Sequence, residues 1–215
     1  MSKKIDSHFQ TVDSILFAAL QKIGEIPPVT KKGNSADHFT ELAASIISQQ
    51  LSTKVADVIW TRFVHLFPEG KEWAKGQPEP SLSPTKVLKV PDQLMRDQGL
   101  SWAKIKYIKD LAQKVVDKEI DLEHLDTLPD EEVITELVKV KGIGRWTAEM
   151  FLMFGLARPD IFSTGDLGLK RAIQKLYSLE TEPDELKLLE LSQKWSPYRT
   201  FAARILWRSL DNETK

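Results

Sequence analysis

The stretch VKGIGRWTAEM, residues 140–150, decides how this chain is to be read. Residues 131–140 have the spacing of a helix and residues 146–154 have it again, yet two glycines, an arginine and a tryptophan stand between them. Glycines two apart are costly inside a helix. They are useful where the backbone needs unusual dihedrals or must come close to something. Two readings are open at this point. Either the turn is a tight connection between helices, or it has been stripped of side chains so that a ligand can reach the main chain. In the second case the amides opening the next helix offer an anion site, and phosphate is the obvious anion, with Lys139, Lys141 and Arg145 crowding the same place.

Outward from this turn, helical patterning dominates and strand patterning is hard to find. Residues 11–23 read as a helix ended by Gly24 and the pair Pro27-Pro28. Phe39, Leu42, Ala43, Ile46 and Ile47 repeat at threes and fours, and Val55, Val58, Ile59 and Phe63 resume the pattern. Between them lies SQQLST, residues 48–53, where Ser52 or Thr53 can cap a new helix. Residues 68–91, rich in proline, read as a surface connection with room for a short helix. Two helices broken at Gly99 follow. Thr127 and Asp130 around Pro129 look like a cap for a helix over 130–139, and Thr181 and Asp184 around Pro183 do the same for 184–194. A last helix covers 198–210. The fold class expected is all-α.

The chain has 215 residues, 41% hydrophobic and 28% charged, and can bury a real core. No apolar run approaches the length of a membrane span, and the first ten residues lack the apolar segment of an export signal. There is no cysteine, which excludes disulfides, thiol catalysis and any cysteine-held zinc or iron–sulfur site. His8, His38, His65 and His124 are scattered, with no pair at metal-ligand spacing. Net charge is −1, which argues weakly against nucleic acid as a partner. The distribution argues back: residues 117–136 hold nine acids against one lysine, and residues 139–175 hold seven bases against three acids. Such runs are also what solvated helix faces look like.

The run LVKVKGIGRWTAEMFLMFGLARPDIFSTGDLGLKRAIQKLY resembles the helix-hairpin-helix motif, and the loop ending in aspartate, of the HhH-GPD DNA glycosylase superfamily. Within it the chain is similar to the 3-methyladenine DNA glycosylase II branch, in a compact form without the N-terminal β-domain of its longest bacterial members. AASIISQQLSTKVA looks like the family's wedge segment, GLSWAKIKYIKDLA like its Gly-Leu-Ser, Lys and Leu-Ala signature, and WSPYRTFAARILWR like its W-x-P-x-R closing helix. The resemblance covers residues 35–210 and implies a two-lobed helical fold. The expected organisation is an N-terminal helix and linker (1–34) packing on the C-terminal lobe, a lobe carrying the wedge loop (35–140), and the hairpin, aspartate loop and closing helices (141–215).

The same resemblance implies roles for particular residues. The catalytic aspartate falls on Asp166, which would stabilise an oxocarbenium-like sugar and orient the attacking water. On the residues alone, Asp166 also reads as a cap for the helix that follows. Leu51 falls on the intercalating wedge with Gln50 beside it in the minor groove, although Ile47, Leu51 and Val55 would equally make a core stripe at helical spacing. Lys141, Gly142, Ile143, Gly144, Arg145 and Thr147 would meet the DNA backbone. The carbonyls of Val138, Val140 and Ile143 would hold a bound Na+ or K+, and no other cofactor is implied. Trp146, Trp207, Met150 and Tyr198 would line the base pocket, with Trp195 and Phe154 nearby and better read as core. Relatives that also cleave the strand carry a lysine where this chain has Trp146, so a monofunctional enzyme without lyase activity is expected. Many relatives have proline shortly before the aspartate, where this chain has Ser163.

The function implied is hydrolytic release of alkylated purines such as 3-methyladenine or 7-methylguanine from duplex DNA, the start of base excision repair. The expected setting is an intracellular, DNA-associated monomer. A catalytically silent lesion or abasic-site binder on the same scaffold is the rival, and a general helix-hairpin-helix DNA-binding module a third reading. An aspartate at 166 favours the enzyme.

Overall fold

The computed structural model describes residues 3–31, 35–78 and 80–211. Among them are twelve α-helices and no strand, only an isolated bridge between Lys75 and Gln77. No helix is long and apolar enough to cross a membrane among the described residues. The chain forms two compact units. One comprises Lys31–Phe151; the other joins Met1–Thr30 to Leu152–Lys215. The boundary falls at residue 151, inside a helix, not at the 140–141 cut drawn from the sequence. The hairpin therefore goes with the wedge segment, and the aspartate loop with the N-terminal helices.

The second unit of the chain, 31–151, holds α3 (Ser35–Ser48), α4 (Thr53–Val64), a 3-10 turn (Pro68–Gly70), α5 (Pro84–Lys89), α6 (Asp92–Asp97), α7 (Trp102–Val116) and α8 (Asp130–Leu137). α7 is the hub, packing on α3, α5 and α6. Its apolar face, Ile105, Ile108, Leu111 and Ala112, is buried at helical spacing, as are Phe39, Leu42 and Ile46 of the α3 it packs on. Ser101 starts the helix by accepting the Lys104 amide at 3.2 Å. The start of α8 differs from its expected cap. The cap position is Pro129 itself, while Thr127 donates its hydroxyl to the His124 carbonyl.

α9 (Arg145–Phe154) crosses the division. The other unit holds α1 (Lys3–Val12), α2 (Ser14–Ile23), α10 (Leu167–Leu176), α11 (Glu185–Lys194) and α12 (Arg199–Asp211). Here α12 packs on α2 and α10. The helix expected over 11–23 is in fact two. Asp13 breaks it with extended backbone and caps α2, its Oδ1 accepting the Leu16 amide at 3.0 Å. The other oxygen of Asp13 takes the Tyr177 hydroxyl (2.6 Å) and the Trp195 indole N–H (2.9 Å). Burial, and after it the Asp13 carboxylate, pushes the Tyr177 phenol up from its ordinary pKa, so it stays a donor. Trp195 is wholly buried, as the core reading expected.

Replacing Asp13 with alanine strands a buried indole donor, a half-buried phenol and a helix start. Unfolding free energy from urea titration should fall by about 2–5 kcal/mol, given roughly 1–3 kcal/mol for each buried group left unsatisfied.

Candidate functional site

In the unit 31–151, α8 ends at Leu137 and α9 begins at Arg145, with the glycine turn between them. The two glycines do different work. Gly142 has φ +85°, and a Cβ there would lie 2.2 Å from Cδ2 of Tyr107 on α7, so conformation and packing both demand glycine. Gly144 has nothing within 4 Å of where a Cβ would stand. Its openness leaves the start of α9 bare to solvent. The first helical bond there is Ala148 N–H to Gly144 O, so the amides just before it have no acceptor within the helix. Other amides of the turn are already engaged: Lys141 N–H on Asp110 Oδ2 at 2.9 Å, and Ile143 N–H on Val140 O at 3.1 Å. Ile143 turns its side chain into the core.

The expected cations are engaged too. Arg145 grips both oxygens of Glu131 and places Nε 2.9 Å from Glu149 Oε1, and these acids raise its pKa further. Its pairing with Glu131 first, against some desolvation of the carboxyl, holds Glu131 below the usual range. Lys139 pairs with Glu136, and Lys141 Nζ lies 3.6 Å from Asp110. Lys141 is the most exposed of the three and the easiest to redirect to a phosphate, since surface pairs contribute about 0–1 kcal/mol. Thr147, expected at the DNA backbone, is only 4% exposed and takes the side-chain amide of Gln49 at 3.4 Å. It supports the turn from inside. The three carbonyls expected to hold a monovalent cation are neutral oxygens, which suits an alkali ion. Val140 O keeps a lone pair after accepting Ile143. No cluster of three acidic, histidine or cysteine side chains at metal-binding distance occurs among the described residues.

The wedge segment sits at the end of α3. Ser48 closes the helix, Gln50 takes a left-handed backbone (φ 57°), and Leu51 N–H returns to Ser48 O at 3.2 Å. Leu51 therefore stands in a turn, half-buried, and not on a helix. Ile47 is buried and Val55 exposed, so the core stripe of Ile47, Leu51 and Val55 does not form. Gln50 is exposed beside it. Of the base-pocket candidates on α9, Trp146 is 44% exposed and Met150 half-buried.

In the other unit, Asp166 is 8% exposed and caps α10. Its Oδ1 accepts two donors, the Leu169 amide at 2.7 Å and the Trp207 indole N–H at 3.0 Å. Trp207 comes from the middle of α12 and lies against Phe154, ring centres 6.1 Å apart. The indole can approach because residue 168 is glycine: a Cβ there would lie 3.0 Å from Asp166 Oδ1 and 3.2 Å from the indole. Sequence reading placed Trp207 as a pocket wall and missed both this bond and Gly168. Tyr198 is half-buried with its ring edge-on to His8 at 5.2 Å. Ser163 is fully buried; its carbonyl accepts the Asp166 amide at 3.3 Å, and its hydroxyl has no partner.

The W-x-P-x-R motif explains how this loop is held. Arg199 donates Nε and Nη2 to the two oxygens of Asp160 (2.8 and 3.0 Å), and Ser196 adds its hydroxyl at 2.8 Å. Thr200 accepts Ile161 N–H and donates to Arg158 O, while its own amide meets Pro159 O. The start of α12 thus clamps residues 158–161, five residues before the aspartate. Burial works to raise the Asp160 carboxyl, but the bonds from Arg199 and Ser196 outweigh it and leave it below its ordinary value.

A model of the HhH-GPD superfamily base excision DNA repair proteins matches residues 43–197. The Bacillus subtilis protein YfjP is 35% identical over 166 residues, covering 77% of this chain; the chain spans 56% of that protein's length. DNA-3-methyladenine glycosylase 1 of Schizosaccharomyces pombe is 30% identical over 207 residues, covering 96% of this chain and 86% of that one. The solved structure of the S. pombe 3-methyladenine DNA glycosylase Mag1 in complex with abasic DNA superimposes with a TM-score of 0.78 at 28% identity, covering 95% of both chains.

Two outcomes follow for the folded protein. Gly142→Ala should cost about 1–3 kcal/mol in denaturant unfolding, from overpacking on Tyr107 and backbone strain, whereas Gly144→Ala should stay within about 0.5 kcal/mol of the parent. For Asp160→Asn, the stability deficit relative to the parent should be full above about pH 4–5, the ordinary carboxylate range and upward. It should close as pH falls through the depressed Asp160 value, because the parent then loses the same ion pair.

Proposed function

The chain belongs to the HhH-GPD superfamily of base excision DNA repair proteins, and on that footing we propose that it is a monofunctional glycosylase that hydrolyses the N-glycosidic bond of alkylated purines in duplex DNA. The observation that carries the proposal is the Asp166 carboxylate, nearly buried yet aimed by two N–H donors on a single oxygen. The names of the S. pombe relatives support the choice of 3-methyladenine-type bases.

Alkylation at purine N3 or N7 makes the base cationic. When the bond to C1′ breaks, both electrons leave with the base, which departs neutral and needs no proton from a general acid. The sugar left behind carries the positive charge, and a fixed carboxylate stabilises it without having to reorganise. Water then bonds to C1′ and gives up its proton, with Asp166 positioned as its acceptor. The products are a free base and an abasic sugar. The Leu169 amide and the Trp207 indole N–H hold the carboxylate, and the half-buried Trp207 ring would offer an aromatic surface to a cationic base. No lysine stands at Trp146 to attack the sugar, so the strand would remain intact.

In the other unit, Leu51 would fill the space of an extruded base, with Gln50 in the minor groove. The open backbone at Gly144 and the start of α9 would take a phosphate, joined by Lys141. A Na+ or K+ on the carbonyls of Val138, Val140 and Ile143 would add positive charge to that turn. Since Arg145 is already bound to two acids, the main chain would supply most of the contact.

The test is release of free base from methylated duplex DNA. Asp166→Asn should lower release by about 100-fold or more, as loss of an electrostatic stabiliser does, while still binding DNA. Trp207→Phe keeps the ring and loses the donor; release should fall about tenfold, the value of one lost hydrogen bond to a charged group. Borohydride should trap no covalent complex. A parent protein that binds abasic DNA tightly but releases nothing would make it a lesion binder instead.

A further inference from the structure

The GLSWAK segment, residues 99–104, has no part in the chemistry above, yet it opens α7, the helix whose side chains reach both the wedge turn and the hairpin turn of the unit 31–151. Gly99 (φ +104°) turns the chain, Leu100 is buried with its carbonyl on Arg96 Nη1 (2.7 Å), and Ser101 caps α7 through the Lys104 amide. The Lys104 ammonium then donates to Ile47 O and Gln49 O, both at 2.7 Å, the carbonyls that end α3. Among the described residues its partners are these carbonyls and no carboxylate, and burial lowers its pKa from the ordinary lysine value. A lysine with acidic partners all over the surface to choose from is here held as a helix cap.

Three residues on, the Tyr107 ring lies against Gly142; three further, Asp110 accepts the Lys141 amide. The stripe 104, 107, 110 on one helix thus seats the wedge turn at one end and the hairpin at the other. The circuit closes without α7 as well: Gln49, the residue before the wedge, donates its side-chain amide to Gly142 O at 2.9 Å and to Thr147 at 3.4 Å. These links are hydrogen bonds or ring contacts made at the end of α3, in the hairpin turn with its positive-φ Gly142, or in the first turn of α9, where helix ends leave main-chain groups without intrahelical partners.

We infer that Gln49, Lys104, Tyr107 and Asp110 are positioning residues that lock the wedge turn to the phosphate-binding turn. Leu51 enters a duplex in register with a phosphate seated on the hairpin, and the ordering cost is met before DNA arrives. The inference rests on the proposed DNA-binding role of both turns and extends it: discrimination between damaged and intact duplex depends on residues that touch no DNA.

The experiment uses the full chain and a duplex carrying a tetrahydrofuran abasic analogue beside 2-aminopurine, whose fluorescence reports unstacking by the wedge. Gln49→Glu, matched in size but without the amide donor, and Lys104→Met should lower the preference for the abasic duplex over intact duplex about tenfold, as one lost tight hydrogen bond does, and blunt the fluorescence rise. Affinity for intact duplex should hold within about twofold, Lys104→Arg should recover much of the loss, and Lys106→Met, on the exposed side of α7, should match the parent. Unchanged preference in both variants overturns the inference. So does a parallel loss of melting temperature and of both affinities, which would mark a purely structural role. A parent that shows the preference but releases no methylated base would sink the glycosylase reading and leave the coupling standing.

Discussion

A carboxylate withdrawn from water needs donors, and this chain meets that need twice by the same device. Asp13 and Asp166 each cap a helix in the same unit, each accepts the amide three residues on, and each takes an indole N–H from the C-terminal part of the chain. The difference lies in what surrounds them. Asp13 has a phenol as well and a fully buried tryptophan, so its bonding is complete within the protein. Asp166 has a half-buried tryptophan as its donor and stands between the exposed residues Gly165 and Leu167. The same local chemistry serves as a rivet in one place and, under the proposed function, would serve as a chemical group in the other. α12 is what makes the second possible, since it supplies Trp207 and also clamps the loop through Arg199 and Thr200.

Much of this was legible in the sequence. The glycine pair announced the hairpin, the helical periodicity announced an all-α chain, and aspartates at 166 and 184 announced helix starts that are present. Local signals carry that kind of information because a cap or a turn is decided within four residues. What failed to show was long-range. Nothing near Trp207 says that its N–H meets a residue 41 positions earlier, and nothing in GIGRWTA says which glycine is filled from behind by Tyr107 and which is open. Thr147 reads as a surface threonine at the start of a helix until Gln49 is seen across from it. Asp13 was hidden by its neighbours: residues 11–23 look continuous because the apolar spacing survives the break.

The alternating blocks of charge turn out to have a plain use. Acids from the run before the hairpin and bases from the run after it meet one another, Glu131 with Arg145 and Glu136 with Lys139, while Asp110 draws in Lys141. An overall charge near neutrality is therefore compatible with the proposed phosphate contact, because the turn would offer partial charges of the main chain and not a free basic patch. Association with a polyanion built this way would shed few counterions per contact, so its response to salt would be shallower than that of a lysine-rich binder.

The stripe on α7 also has a handedness. Each step of three residues along an α-helix advances about 4.5 Å and falls roughly 60° short of a full turn. Lys104, Tyr107 and Asp110 therefore spiral, and their first and last members point in directions about 120° apart, over a rise of about 9 Å. The wedge turn and the hairpin turn consequently rest on different sides of one rod. Rolling α7 about its axis to relieve one would drive the other out of its seat, and inserting or deleting a single residue between positions 104 and 110 would rotate the two seats out of phase by about 100°. In that short span a change of side chain would disturb one seat, whereas a change of length would disturb both at once.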